Sequence, residues 1–222
     1  MNFIHMSHTD LDGYGCQLIS KKIFPDGSFY NANYGLEVKA TLDIIVEKLK
    51  DLSNTFVLIS DLNLTLSEAK KIDSMVNKRN ENGANIKLQL LDHHGSGQDC
   101  ADKYDWYYLD TTRCATKIVY DYFLKNFDEF KSRCEENFEK LIDSINAVDI
   151  WLEDDSLFEF GKVCMTLVSK SHEINNILFP SQSRSYRFAL LQNAIQFIDK
   201  PNSHILLGEQ IYFLKKEYLN MS

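Results

Sequence analysis

The sequence contains no run of about 18 apolar residues, the length a helix needs to cross a bilayer, and its first apolar stretch, Phe3–Met6, is too short and too quickly followed by charge for a signal peptide. A soluble, cytoplasmic protein is expected. Its five cysteines, at 16, 100, 114, 134 and 164, form no Cys-x-x-Cys pair and are odd in number. This argues for reduced thiols and against a disulfide framework or a thiolate zinc site. Gly95 and Gly97 lack the lysine and the length of a P-loop, so they are read as a mobile loop. No internal repeat or low-complexity tract is present. The net charge of −8 argues against holding long duplex DNA by phosphate neutralisation alone. It leaves a short nucleotide substrate open, because bound cations can invert a local field.

What is present is the material of one substantial core: 222 residues, 44% of them hydrophobic. Apolar runs and turn signals alternate as in βα units. Strands are expected near 3–7, 29–33, 55–60, 86–92 and 106–109. Helices are expected from Gly13 to before Pro25, over 42–49, from a capping box at Thr65 with Glu68 to about Asn82, and from Thr112 to Phe127. After Asp128 the pattern becomes helical, near 134–150, 157–170, 185–199 and 204–219, with Pro180 and Pro201 as separators. The expected fold is α/β: a Rossmann-like, mostly parallel sheet flanked by helices over 1–127, a helical continuation over 128–203, and a C-terminal helix over 204–222.

Ionisable residues gather where apolar runs end. Leu90-Leu91 leads into Asp92-His93-His94; Phe3–Met6 leads into Ser7-His8-Thr9-Asp10-Leu11-Asp12-Gly13; Phe56–Ser60 ends on Asp61. Asp149 interrupts the apolar stretch Ile145–Trp151. Each has a simpler reading when taken alone: an Asp after a strand commonly caps the next helix, and a histidine pair on a loop is commonly solvated. Their shared position is what points to a site, because ligands of parallel α/β sheets collect outside the carboxyl ends of the strands. The expected site therefore gathers His8, Asp10, Asp12, Asp61, His93, His94 and Asp149. Carboxylates mixed with imidazoles suit Mn²⁺ better than an all-oxygen set, which would suit Mg²⁺, or a thiolate set, which would suit Zn²⁺. Mn²⁺, two ions per site, is the expected cofactor, with Mg²⁺ or Co²⁺ as alternatives.

In order along the chain, His8–Gly13, Asp61, Asp92-His93-His94 and Asp149 resemble the four motifs of the DHH phosphoesterases. The flanking residues Ser7–Cys16, Ile59–Leu62, Tyr104–Trp106, Ala115-Thr116 and Asn146–Trp151 look most like the nanoRNase B-type oligoribonucleases, over roughly residues 1–200. Cys114 departs from the small hydroxyl residue common before the Ala-Thr pair. Such proteins usually continue into a glycine-rich substrate-binding domain, whereas this sequence stops at Glu209–Ser222, which looks like the connecting helix.

The resemblance implies that His8, Asp10 and Asp61 hold one ion and Asp12, Asp61, His93 and Asp149 the other, with Asp61 as the bridge. It also implies that Asp92 orients His93 and that His94 faces the substrate phosphate as donor or acid. Water activated between two ions is the expected nucleophile. Arg113, Lys117, Arg184 and Arg187 are candidate phosphate contacts, and Tyr14 and Trp151 candidate base-stacking residues. The function implied is release of mononucleotides from short oligoribonucleotides. Alternatives are hydrolysis of pyrophosphate, polyphosphate or a linear or cyclic dinucleotide, and a catalytically weak nucleotide- or partner-binding module. No membrane is expected as a partner, and the C-terminal helices are candidate surfaces for a second copy or another protein.

Overall fold

The computed structural model describes residues 1–171, 174, 178–203 and 205. The chain divides into two compact units, Met1–Arg133 and Cys134–Ser222. The first carries a five-stranded sheet: β1 (Asn2–Ser7), β2 (Ser28–Asn31), β3 (Thr55–Ser60), β4 (Ile86–Asp92) and β5 (Tyr107–Leu109). Its order is β2-β1-β3-β4-β5, and every pair is parallel. Helices α1 (Leu11–Lys21), α2 (Leu36–Leu49), α3 (Leu66–Glu81), α4 (Gln98–Ala101), α5 (Ala115–Asn126) and α6 (Phe130–Arg133) belong to the same unit.

Strand alternation sorts the two sheet faces. Ile4 and Met6, Val57 and Ile59, and Leu88 and Leu90 join one core with Val38, Leu42, Ile45 and Leu49 of α2 and Ala69 and Ile72 of α3. On the other face Phe3 stacks on Phe24 at 4.0 Å between ring centroids, and Phe24 meets Phe56 and Phe123 edge-on. That face also buries His5, whose Nδ1 lies 2.7 Å from Ser20 Oγ and whose Nε2 lies 2.8 Å from Ser60 Oγ.

Several boundaries differ from expectation for local reasons. Helix α2 starts at Leu36, because Val38 already belongs to its buried stripe with Leu42, Ile45 and Leu49. Helix α5 starts at Ala115: the Asp110 carboxylate takes the Thr112 N–H and hydroxyl into a turn, and Cys114 becomes the N-cap, its Sγ accepting from Lys117 N at 3.5 Å. Sulfur thus supplies the helix-start contact expected of a hydroxyl. Residues Gly95–Gly97 form a 3₁₀ turn running into α4 rather than a mobile loop. A Cβ on Gly97 would lie 2.0 Å from Tyr107 Oη, so glycine is required there by close packing.

The second unit packs α7 (Phe138–Asp149), α8 (Phe158–Ser169) and α9 (Pro180–Ile195) together. Pro180 is the first residue of α9, where its missing N–H costs nothing, rather than a separator before it. The expected helix over 204–219 lies outside the described residues, apart from Ile205. Among the described residues, no helix is long and apolar enough to cross a membrane.

Candidate metal centre

Order β2-β1-β3 makes the chain leave β1 and β3 in opposite directions across the sheet, and the crevice outside the carboxyl ends of such a pair is where ligands bind in this topology. Ser7, Ser60 and Leu91 form one row across β1, β3 and β4. The next residue of each strand's chain is His8, Asp61 and Asp92. Ser7 tightens the row, with Oγ donating to Ser60 O at 3.1 Å and lying 2.9 Å from Ser60 Oγ.

The structure brings His8, Asp10 and Asp61 together as one set, and Asp61, His93 and His94 as another; the donor atoms within each lie within 4.8 Å of one another. His8 Nδ1 is 2.7 Å from Asp10 Oδ2 and 3.8 Å from Asp61 Oδ2. His93 Nε2 is 3.4 Å from Asp61 Oδ1 and 3.7 Å from Asp12 Oδ2. Asp61 therefore turns one oxygen to each histidine. It does so from a left-handed backbone, φ 55°, which Asp tolerates better than most residues. It caps no helix: the N-cap of α3 is Thr65, whose capping box with Glu68 is complete.

Asp10 and Asp12 also anchor helices. Asp10 is the N-cap of α1, its Oδ1 accepting from Gly13 N at 3.0 Å. A Cβ on Gly13 would lie 2.3 Å from His8 O, so only glycine lets α1 start so close to the His8 turn. The Asp12 carboxylate, 1% exposed, accepts from Ala115 N at 2.8 Å and Thr116 N at 2.7 Å, satisfying two donors at the start of α5.

Asp92 is fully buried; its Oδ1 takes His94 Nδ1 at 2.7 Å and its Oδ2 accepts from Tyr107 Oη at 2.7 Å. This corrects the expectation that Asp92 orients His93. In extended chain the side chains of residues two apart share a side, so the acid reaches His94 and not its immediate neighbour.

The two imidazoles are driven apart electrostatically. Burial lowers the pKa of His93, and the positive charge of His94 adds to that against the pull of Asp12. His94 is also desolvated, but its bond to Asp92 and the charges of Asp92, Asp12 and Asp10 outweigh burial and raise its pKa. The opposite shifts favour the neutral form at His93, as a ligand needs, and the protonated form at His94, as an acid needs. Asp10 is held below the ordinary carboxylate value: desolvation would raise it, but the bond and charge of His8 and the Gly13 N–H prevail. Burial, then Asp12, pushes the Cys16 thiol well up, which removes it as a nucleophile.

Buried Asp12 and Asp61 beside His8, Asp10 and His93 make a donor set of carboxylate oxygens and imidazole nitrogens. Such a set fits a divalent cation, whose charge would offset the cost of crowding carboxylates away from water.

Asp149 is the last residue of α7, in the second unit. Arg113 is engaged by Asp110 at 2.7 Å and by Asp121. Half-buried Lys117 lies 5.6 Å from the Tyr120 ring centroid. Arg184 is half-buried on α9. Arg187 is buried rather than part of a basic surface: it donates to the carbonyls of Val168, Ser171 and Ser183 and to Ser183 Oγ, tying α8 to α9. Tyr14 is buried, which removes it from base stacking, whereas Trp151 is exposed. Sequence reasoning missed Tyr34, whose Oη is 3.0 Å from His94 Nε2, and Tyr107 beneath Asp92. Period-two alternation could have placed Asp92 with His94, but nothing local singled out either tyrosine.

The chain is 39% identical over 218 residues to a 3′,5′-cyclic-nucleotide phosphodiesterase of Helicobacter pylori (strain ATCC 700392 / 26695), a match covering 97% of this chain and 63% of that protein. It is 25% identical over 127 residues to the oligoribonuclease NrnB of Bacillus subtilis (strain 168), covering 54% of this chain and 30% of that one. The crystal structure of an uncharacterized protein from Helicobacter pylori G27 superimposes with a TM-score of 0.90 at 38% identity, over 97% of this chain and 63% of that one. No family model matches the sequence. The chain thus spans somewhat under two thirds of the length of the Helicobacter proteins it resembles.

Proposed function

We propose that this chain is a metal-dependent phosphodiesterase of the DHH type acting on small nucleotide phosphodiesters. The observation that carries the reading is Asp61, one carboxylate turned to two histidine-containing donor sets at the β1/β3 switch point. In this reading His8, Asp10 and Asp61 hold one divalent cation, and Asp12, Asp61 and His93 belong to the second set. Asp149, from the second unit, is carried over as a further ligand on the sequence resemblance. Mn²⁺ is the ion the donor chemistry favours. When bound, such cations lower the pKa of water and offset charge on the phosphoryl group.

The protein's own part is positional. Asp61 spaces the two sets, Asp12 is fixed by the α5 backbone, and Asp92 holds the His94 ring by Nδ1. Hydrolysis adds water across one P–O bond, giving a phosphomonoester and an alcohol, and the departing oxygen needs a proton. His94, whose affinity for a proton Asp92 raises, is the proposed donor. The match to the Helicobacter protein along nearly the whole chain favours a 3′,5′-cyclic nucleotide as substrate. The sequence motifs and the Bacillus relative favour a short oligoribonucleotide as the second reading.

The test is turnover of 3′,5′-cyclic AMP, a labelled diribonucleotide and pyrophosphate by the purified protein with Mn²⁺, beside Asp61→Asn. Hydrolysis of either phosphodiester, lost in the variant, is expected. Cleavage of pyrophosphate alone would move the function to phosphoanhydrides. Mn²⁺ binding without turnover of any of the three would leave a binding module.

A further inference from the structure

Tyr34 borders the metal centre without a packing reason to be there, since it is 43% exposed. It sits in the turn between β2 and α2, and that turn is tied down on both sides. Asn31 Nδ2 donates to His8 O at 2.8 Å, and Asn33 N donates at 2.9 Å to Oε2 of Glu37, in the first turn of α2. Gly35 follows with φ 81°, turning the chain into the helix. The tyrosine ring lies 5.0 Å from the His8 ring and 5.6 Å, at 76°, from the His94 ring. It therefore borders one member of each donor set, His8 of the first and His94 of the second.

Its hydroxyl is 3.0 Å from His94 Nε2 and 3.3 Å from His94 Nδ1. An oxygen so nearly equidistant from both ring nitrogens cannot lie in the imidazole plane, because Cε1 stands between them. Tyr34 Oη is thus over the face of the ring and on the axis of neither nitrogen, where a hydrogen bond is poor. Nδ1 is taken in the plane by Asp92 Oδ1 at 2.7 Å, and the in-plane direction of Nε2 is not blocked by the phenol. The phenol is protonated at neutral pH. Among the described residues its O–H has no other hydrogen-bond partner. A donor without a good acceptor, held beside a cation-binding centre, suits an anionic oxygen. Oη and Nε2, 3.0 Å apart, match two oxygens of one phosphoryl group, as the paired nitrogens of a guanidinium do.

We propose that Tyr34 is a substrate-binding residue: its hydroxyl donates to a non-bridging oxygen of the phosphoryl group, while the departing oxygen faces His94 Nε2. The proposal rests on the phosphodiesterase reading above, and equilibrium binding separates the two. 5′-AMP and 3′-AMP are the monoesters that a 3′,5′-phosphodiester of adenosine can leave. Calorimetric titration measures their affinity for the Mn²⁺-loaded protein without turnover. Tyr34→Phe keeps the ring and removes the hydroxyl. It should weaken whichever monoester binds the parent about 10-fold, the loss of one hydrogen bond to a charged oxygen. Mn²⁺ affinity and the melting temperature in EDTA should stay unchanged. On the phosphodiester that the parent hydrolyses, the loss should fall on KM.

Undiminished monoester affinity in Tyr34→Phe overturns the proposal; if Tyr34→Leu alone then binds weakly, the ring stacks on the base instead. Weaker binding with an equal loss of Mn²⁺ affinity overturns it too, because the hydroxyl would then serve the cation set. A parent that binds neither monoester removes the contact. A parent that binds a monoester but hydrolyses neither phosphodiester removes the phosphodiesterase reading and the substrate role with it, and Tyr34→Phe then decides whether the hydroxyl binds phosphoryl ligands at all.

Discussion

Asp61 combines two properties that a single substitution can separate. Its left-handed backbone is one that Asn shares readily, and its buried carboxylate lies between two histidines and beside Asp10. Asp61→Asn keeps the shape and the backbone preference and removes one negative charge. The metal-free variant should melt at or above the parent temperature, while its Mn²⁺ affinity falls at least about 10-fold. Calorimetric titration beside a thermal melt checks both, and a variant that melts several degrees lower would mean the carboxylate is a structural partner instead. At this scale the sequence was informative about acids and silent about tyrosines. His8, Asp10, Asp12, Asp61 and His93 were visible because ionisable residues directly after aliphatic strands have no packing reason to be there. Tyr34 follows a short, half-buried strand without alternation, and a tyrosine in a turn has many ordinary explanations. Arg187 misled for the opposite reason: a cation on a polar helix reads as surface, and only the fold shows three carbonyls around it.

Among the elements, α5 depends on a residue about a hundred positions earlier. Both oxygens of Asp12 are spent on its first N–H groups, and Thr116 Oγ1 returns a bond to Asp12 O at 2.7 Å. Removing the carboxylate leaves two buried donors without a partner, at a cost of about 1–3 kcal/mol each. Asp12→Ala should therefore lower the melting temperature of the metal-free protein by several degrees, which Asp61→Asn should not do. Equal melting of the two variants would show that water replaces the carboxylate at the start of α5. Strands and the capped helix α3 were legible because period-two aliphatic runs and a Thr-x-x-Glu box have strong local causes. The starts of α2 and α5 were not, since Gly35 and Cys114 carry no conventional cap signal and tertiary burial decides where those helices begin.

For the molecule as a whole, a cation that binds only the folded centre must stabilise the fold by mass action. Mn²⁺ at about 100 times its dissociation constant should contribute about 2.7 kcal/mol per site. A melt with Mn²⁺ should accordingly run several degrees above one with EDTA, and Asp61→Asn should abolish most of the difference. An unchanged melt in the parent protein would mean that the donor sets hold no ion at that concentration. The parallel sheet and its crevice were legible from the alternation of strands and helices. The compact units divide at Arg133, where α6 still packs against α5, whereas the sequence marks the change to helices alone after Asp128.

The row Ser7–Ser60–Leu91 gives the centre one more property. His8, Asp61 and Asp92 each follow one residue of that row, so they come level only in this register of β1, β3 and β4. A slip of a single residue between β1 and β3 would exchange the faces of an entire strand and carry one donor some 3.3 Å along the other. A misregistered chain could still be compact and helical, yet it could not assemble the set of His8, Asp10 and Asp61, whose members follow both strands. Cation binding is therefore a proofreading signal for strand alignment: in a refolding mixture, the molecules that take up the ion are those whose sheet has been assembled correctly.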